Sequence, residues 1–280
     1  LIDEIDIRPG FDVGIGVVEK TFPFGHYDHL YRLQLSAFFD YTEQQSGKAV
    51  AGIPVVAGRG SVTIRNGVIE NKTEAAISWG VQSTAEDIKI ILDNVSFITA
   101  GINCIAADLP QATITRCRFK VDNPFIVNRH GSAFYAVDLR GKEASEVSYS
   151  EFFGGQGCLV FKGLQSSVHH NYFVNNQSVT NHYRIMAMGD SSRIFDNRIE
   201  PVRGSGIEIY SHRYIDIFNN TIKVQSSAPT CEYGTEEYST NAIRIADYRA
   251  TPGSPNGAFG NRVYGNKIFI RAVNFAKPAS

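Results

Sequence analysis

The chain repeats a short unit that alternates apolar with polar residues, breaks at a polar pair and resumes on an apolar residue. It reads VTIRNGVI (Val62 to Ile69), IILDNVSF (Ile90 to Phe97), ATITRCRF (Ala112 to Phe119) and SSVHHNYF (Ser166 to Phe173). It returns as SSRIFDNRI ending at Ile199, IDIFNNTI ending at Ile222 and NRVYGNKI ending at Ile268, while EVSYSEFF ending at Phe153 fits after a one-residue slip. Repetition constrains a fold more than local propensity does, because units that recur must stack on one another to share a core. The shortest steps between final apolar residues fall near 20 to 23 residues, too few for two helices per repeat. Between units lies a second alternating segment, as in GCLVFKG from Gly157, YRIMAMG from Tyr183, GIEIYSH from Gly206 and NAIRIAD from Asn241. Strict alternation reads as strand, and the tight polar turns leave no room for crossover helices.

Strands that return in the same direction after each circuit build a solenoid whose rungs lie about 4.8 Å apart, with residues of equal phase stacked in ladders. One such ladder is visible at Cys117, Asn171, Asn197, Asn220 and Asn266, where stacked amides can hydrogen-bond along the axis. These residues resemble the right-handed parallel β-helix of the pectate-lyase-like superfamily over roughly residues 50 to 275. The expected fold is all-β, a right-handed parallel β-helix of about eight or more coils over residues 51–280, entered through an irregular cap segment over residues 1–50. Within that segment Leu30 to Tyr41 fits an alternating strand and a helical stripe equally well, and either would cover an open end of the solenoid. The far end, NFAKPAS, offers no evident cover, which leaves room for a further segment or for a homo-oligomer, a trimer included.

Lys and Arg total 27 against 28 Asp and Glu, so no global charge draws the chain to nucleic acid or an anionic membrane. No apolar run approaches the roughly 18 residues of a membrane span, so no membrane insertion is expected. The four cysteines, Cys104, Cys117, Cys158 and Cys231, show no metal-ligand spacing and read as buried thiols. The resemblance implies a secreted protein, extracellular or periplasmic.

Function on a solenoid gathers where loops lengthen on one side. Four insertions follow the last apolar residue of a unit: Lys120 to Ser132, Val174 to His182, Glu200 to Ser205 and Lys223 to Thr240. Alternation turns outward the residues flanking each such apolar position: Arg118, Phe152, Tyr172, Arg198 and Thr221 before it, and Lys120, Gly154, Val174, Glu200 and Lys223 after it. The insertions add Asn128, Arg129, His130, His182, Tyr183, Arg184 and Arg203. Aromatic rings take the apolar faces of sugars and guanidinium forks pair with carboxylates, so the expected partner is a uronate-containing polysaccharide or oligosaccharide. Arg118, Asn128, Arg129, His130, Phe152, Tyr183, Arg184, Arg203 and Lys223 are the candidate substrate-binding residues.

β-Elimination of a uronate needs the carboxylate neutralised, a base and a proton donor. Lys120 or Arg198 suits the base or the carboxylate clamp, and Tyr172, His182 or Tyr183 the donor. Enzymes of the resembled superfamily do this on the β-helix face, sometimes with Ca²⁺. Here Asp122 with Asn123 is the sole hint of a calcium ligand set, so no cofactor is required by the sequence and Ca²⁺ stays open, while Asp108, Asp138, Asp190 and Asp247 read as turn residues. Glycoside hydrolysis would instead need two carboxyl groups, for which Glu200 and Glu208, on successive strands of one coil, are candidates. A third reading is a non-catalytic glycan-binding or adhesin β-helix. His169 and His170, adjacent in a strand, are expected to face opposite ways and so not to share an ion. HxxH at His26 and His29 is too sparse to carry a site.

Overall fold

The computed structural model describes residues 2–7, 15–18, 42–43, 48–49, 54–56, 60–71, 77–79, 88–99, 105–107, 111–121, 135–139, 141, 143–154, 157–174, 184–200, 205–226, 241–247 and 257–272. Among them there is no helix, and the long sheets are parallel throughout: the chain is a right-handed parallel β-helix. Leu30 to Tyr41 lies outside the described residues.

Each coil presents three faces. The first is a nine-stranded sheet that includes Tyr135–Leu139, Gly157–Phe161, Ile185–Ala187, Ile207–Tyr210 and Ile243–Ala246. The second and third belong to one fifteen-stranded sheet folded along a corner. Gly60–Asn71 and Ile88–Thr99 run through that corner as single strands. Later coils divide there, giving Glu146–Ser148, Ser167–His169, Arg193–Phe195 and Asp216–Phe218 on the second face, and Glu151–Gly154, Tyr172–Val174, Arg198–Glu200 and Thr221–Ser226 on the third. Two strands from the first fifty residues enter the same sheets: Ile2–Ile7 pairs in parallel with Gly60–Asn71, and Ile15–Val18 sits between Ile77–Trp79 and Pro54–Val56.

The corner follows from one backbone step per coil. Asn66, Asn94, Arg116, Tyr149, His170, Asp196 and Asn219 all take left-handed φ between 50° and 57°, with Gly265 at 65° in the last described coil. A single left-handed residue reverses the bend of an extended chain, and Asn, Asp and Gly tolerate it best. The next residue points inward and would leave polar backbone unpaired, which the ladder resolves. Asn197 accepts from the backbone N and the Nδ2 of Asn171, both at 3.0 Å, and Asn220 accepts the same pair from Asn197 at 3.0 Å. Each Nδ2 also donates to a carbonyl one coil back, as Asn197 does to Val168 at 2.9 Å. Ser150 occupies this position in its coil, its Oγ accepting from Cys117 N at 3.0 Å.

That placement corrects the reading of EVSYSEFF. The unit needs no slip: Phe152, not Phe153, pairs with Phe119 and Phe173. Phe152 is fully buried in a column of stacked rings, Phe97, Phe119, Phe152 and Phe173, at centroid spacings of 5.0, 4.8 and 4.5 Å. It is therefore core and not a substrate-binding residue, while Glu151 and Phe153 face outward. Inward residues of the other faces form equal columns, Val137–Leu159–Ile185–Ile207 and Ile114–Val147–Val168–Ile194–Ile217, all at 0–1% exposure. Cys117 and Cys158 are buried free thiols, and burial pushes the Cys117 thiol up to about 12, as expected of structural cysteines.

Candidate functional site

The outward residues of the third face lie in register. One ladder runs Arg118, Glu151, Tyr172, Arg198, Thr221 and Lys267, and beside it run Lys120, Phe153, Val174, Glu200, Lys223 and Phe269. From Arg118 to Lys267 the face carries Arg118, Lys120, Arg198, Lys223 and Lys267 against Glu151 and Glu200, so a near-neutral chain is locally basic here. The sequence-derived residues Arg118, Lys120, Tyr172, Arg198, Glu200 and Lys223 thus share one surface.

Contacts tie them into a strip. The Arg118 guanidinium lies 4.9 Å above the Phe153 ring and 3.6 Å from Glu151. Phe153 meets Tyr172 edge-on at 5.9 Å, and the Arg198 guanidinium covers Tyr172 at 4.9 Å. The Tyr172 hydroxyl donates to Glu200 Oε2 at 3.2 Å. Arg198 Nε donates to Glu200 Oε1 at 2.7 Å, and Lys223 Nζ reaches the same oxygen at 3.3 Å. Phe153, and not the expected Phe152, joins Tyr172 as an aromatic platform. The local frame would have found it: Val147, Tyr149, Ser150 and Phe152 match Val168, His170, Asn171 and Phe173 position for position.

Electrostatics assigns states to the central groups. Partial burial works to raise the Glu200 carboxyl, but hydrogen bonds from Arg198 and Lys223 outweigh it and hold the group below the usual carboxylate range. Burial and then the Glu200 charge push the Tyr172 hydroxyl up, so it is a proton donor and not a phenolate at neutral pH. The hydrogen bond and charge of Glu200 keep the Arg198 cation fixed.

Two further candidates among the described residues stand apart from this strip. Arg184, expected as a loop ligand, is fully buried, with Nη1 3.9 Å from Cys158 Sγ. Glu208, on the first face, is also fully buried and has Arg244 Nη1 at 3.8 Å from Oε2. Arg184 is thus removed from the accessible binding residues. Glu208, expected to point into the open beside Glu200, belongs to a different sheet and is shut from solvent. Asn128, Arg129, His130, His182, Tyr183 and Arg203 lie outside the described residues, as do Asp122 and Asn123. Asp190 does what a turn aspartate is expected to do: it accepts from Arg213 N at 3.1 Å, Arg213 Nε at 2.9 Å and His212 Nδ1 at 2.9 Å.

His169 and His170 depart from expectation. Alternation should separate them, yet the left-handed φ of 56° at His170 swings its ring back, and the two Nδ1 atoms are 2.9 Å apart. Among the described residues no helix is long and apolar enough to cross a membrane.

Comparison with protein-family models, with curated proteins and with solved structures finds no match to the chain.

Proposed function

We propose that this β-helix is a carbohydrate-active protein, similar in kind to the pectate-lyase-like superfamily, that holds a uronate-containing polysaccharide along the outer side of its third face. The observation that carries the reading is the Arg118–Phe153–Tyr172–Arg198 strip, in which each guanidinium lies over a ring one coil or less away. Sugar rings bind to aromatic faces and their carboxylates to guanidinium and ammonium groups. Four rungs at about 4.8 Å cover roughly 14 Å, the span of about three sugar units.

The reaction such groups serve best is β-elimination. Arg118, Arg198 and Lys223 would neutralise the uronate carboxylate and so acidify the adjacent C–H. The Tyr172 hydroxyl, held protonated, would deliver a proton to the departing glycosidic oxygen. Lys120, on the same face, is the candidate base. Paired-carboxylate hydrolysis is disfavoured, because Glu200 is held ionised and Glu208 is on another sheet. One observation favours binding without cleavage: Glu200, the carboxylate beside Tyr172, already accepts from Tyr172, Arg198 and Lys223, which ties up the groups chemistry would use. Secretion to an extracytoplasmic space and a polysaccharide partner are parts of the same proposal.

Digestion of a panel of uronate and neutral polysaccharides, read both in the ultraviolet band of an unsaturated uronate and for reducing ends, decides among these. Bound polyuronate with growing ultraviolet absorbance supports elimination, and bound polyuronate with neither signal supports a binding platform. Absence of polyuronate binding at low salt overturns the proposal.

A further inference from the structure

The corner between the second and third faces holds two histidines that a glycan strip does not use. His169 ends the strand Ser167–His169, and His170 is the left-handed corner residue. With the Nδ1 atoms 2.9 Å apart, one nitrogen must donate and the other accept. Glu146, one coil back, has Oε1 3.5 Å from His169 Nε2. A carboxylate there favours the hydrogen on Nε2, which leaves His169 Nδ1 as a lone pair and His170 Nδ1 as the donor. Both rings are braced: His169 stacks on Phe195 at 4.8 Å, and His170 on Tyr149 at 4.9 Å. His170 is exposed at the corner, while His169 is half-buried.

We propose that His169 and His170 are a chelating pair for a divalent transition-metal ion of tetragonal preference, Cu²⁺ or Ni²⁺, with both Nδ1 atoms as neighbouring ligands and Glu146 steadying His169 from behind. Imidazole nitrogens bind such ions at about 2.0 Å, and two of them 2.9 Å apart subtend about 90° at the ion. That is the angle between adjacent positions of a square-planar or tetragonal site, narrower than the tetrahedral angle that zinc prefers. The ion displaces the hydrogen between the rings and sits to one side of the line joining the two nitrogens, each ring turning its Nδ1 lone pair toward it. That hydrogen passes through solvent to Nε2 of His170, so both ligands are neutral and no net proton is lost. A carboxylate behind a ligating histidine is the usual device for fixing its tautomer. The carboxylate of Asp196, on the next coil, adds negative charge near the pair. Among the described residues no group of three or more His, Cys, Asp or Glu side chains is arranged to hold an ion, so the other coordination positions fall to water.

The test titrates the full chain with Cu²⁺ alone in a non-coordinating buffer, followed by electron paramagnetic resonance and calorimetry. Wild type is expected to take up one equivalent showing coupling to two imidazole nitrogens. His170→Asn, which keeps a residue tolerant of left-handed backbone, should weaken that site at least about tenfold and remove one nitrogen coupling. Glu146→Gln should weaken it about tenfold while leaving thermal unfolding in place. Polyuronate binding, on a different face, should be unchanged in His170→Asn. A copper spectrum and affinity that survive His170→Asn intact, or no uptake of Cu²⁺ by wild type, overturns the proposal.

Discussion

Two glutamates eight residues apart meet opposite fates. Glu200 and Glu208 both fall on outward phases of their strands, each with a cation close by. Glu200 retains 24% of its side-chain exposure and answers to Arg198, Lys223 and Tyr172 on an open face. Glu208 has none. The direction of a side chain follows from strand alternation, but its solvation depends on what lies over the sheet, and that decides whether a charge is a ligand-binding group or part of the framework. The same residue types therefore lie on an open, basic surface of the third face and in a buried setting on the first.

The largest expected effect separates these two environments. Glu208→Ala removes a fully buried carboxylate from beside the partly exposed Arg244, and breaking a buried pair costs about 3–5 kcal/mol. Glu200→Ala breaks a partly exposed pair and should cost at most about 1 kcal/mol. Equilibrium denaturation of both variants checks this. Equal losses would mean that Glu208 is solvated after all.

Next comes the corner ladder on which both faces hang. Asn197→Ala strips the acceptor of Asn171 N and Nδ2 and leaves carbonyls such as Val168 O without their donor. A loss of about 2–4 kcal/mol is expected, read from the denaturation midpoint. Asp196→Asn, at the adjacent left-handed position, should be nearly neutral in the same assay.

On the open face, Glu200→Gln should act on ligand affinity. Neutralising the carboxylate releases Arg198 and Lys223 to a polyanion, so polyuronate affinity should rise by about 3- to 10-fold, an effect that added salt erases. Weaker binding in this variant would assign Glu200 itself to the sugar.

The smallest effect is a pH dependence at Asp190. Burial tends to raise this carboxyl, but hydrogen bonds from His212 and Arg213 outweigh it and leave the folded-state value below the ordinary one. Its stabilisation is therefore complete above the unfolded carboxyl range, near 4, and fades as pH falls through the lower folded value. Wild type should melt slightly above Asp190→Asn at pH 7, by about 1 kcal/mol or less, and the two curves should converge in acid.

Much of this architecture was legible in the sequence because a β-helix writes its period into the chain. The Asn ladder and the outward row Arg118, Tyr172, Arg198, Glu200 and Lys223 follow from phase alone. Three features did not. Phe152 and Phe153 are chemically alike, so the apolar residue closing that unit was ambiguous until the corner residues Tyr149 and Ser150 fixed the frame. Glu208 has outward phase and Arg184 adjoins an insertion, and neither fact carries information about burial. His170 breaks alternation through one left-handed φ, which brings its ring beside His169 instead of opposite to it.

The proposed recognition of acidic sugar by the third face is put to the test by calorimetric titration of wild type and of the Arg118→Ala/Tyr172→Ala double variant with an oligouronate and a neutral oligosaccharide of equal length. Preference for the oligouronate in wild type, and a loss of at least about tenfold in the variant with its melting temperature retained, is the expected result. Equal affinity of both proteins for the oligouronate would place the acidic sugar elsewhere than on this strip.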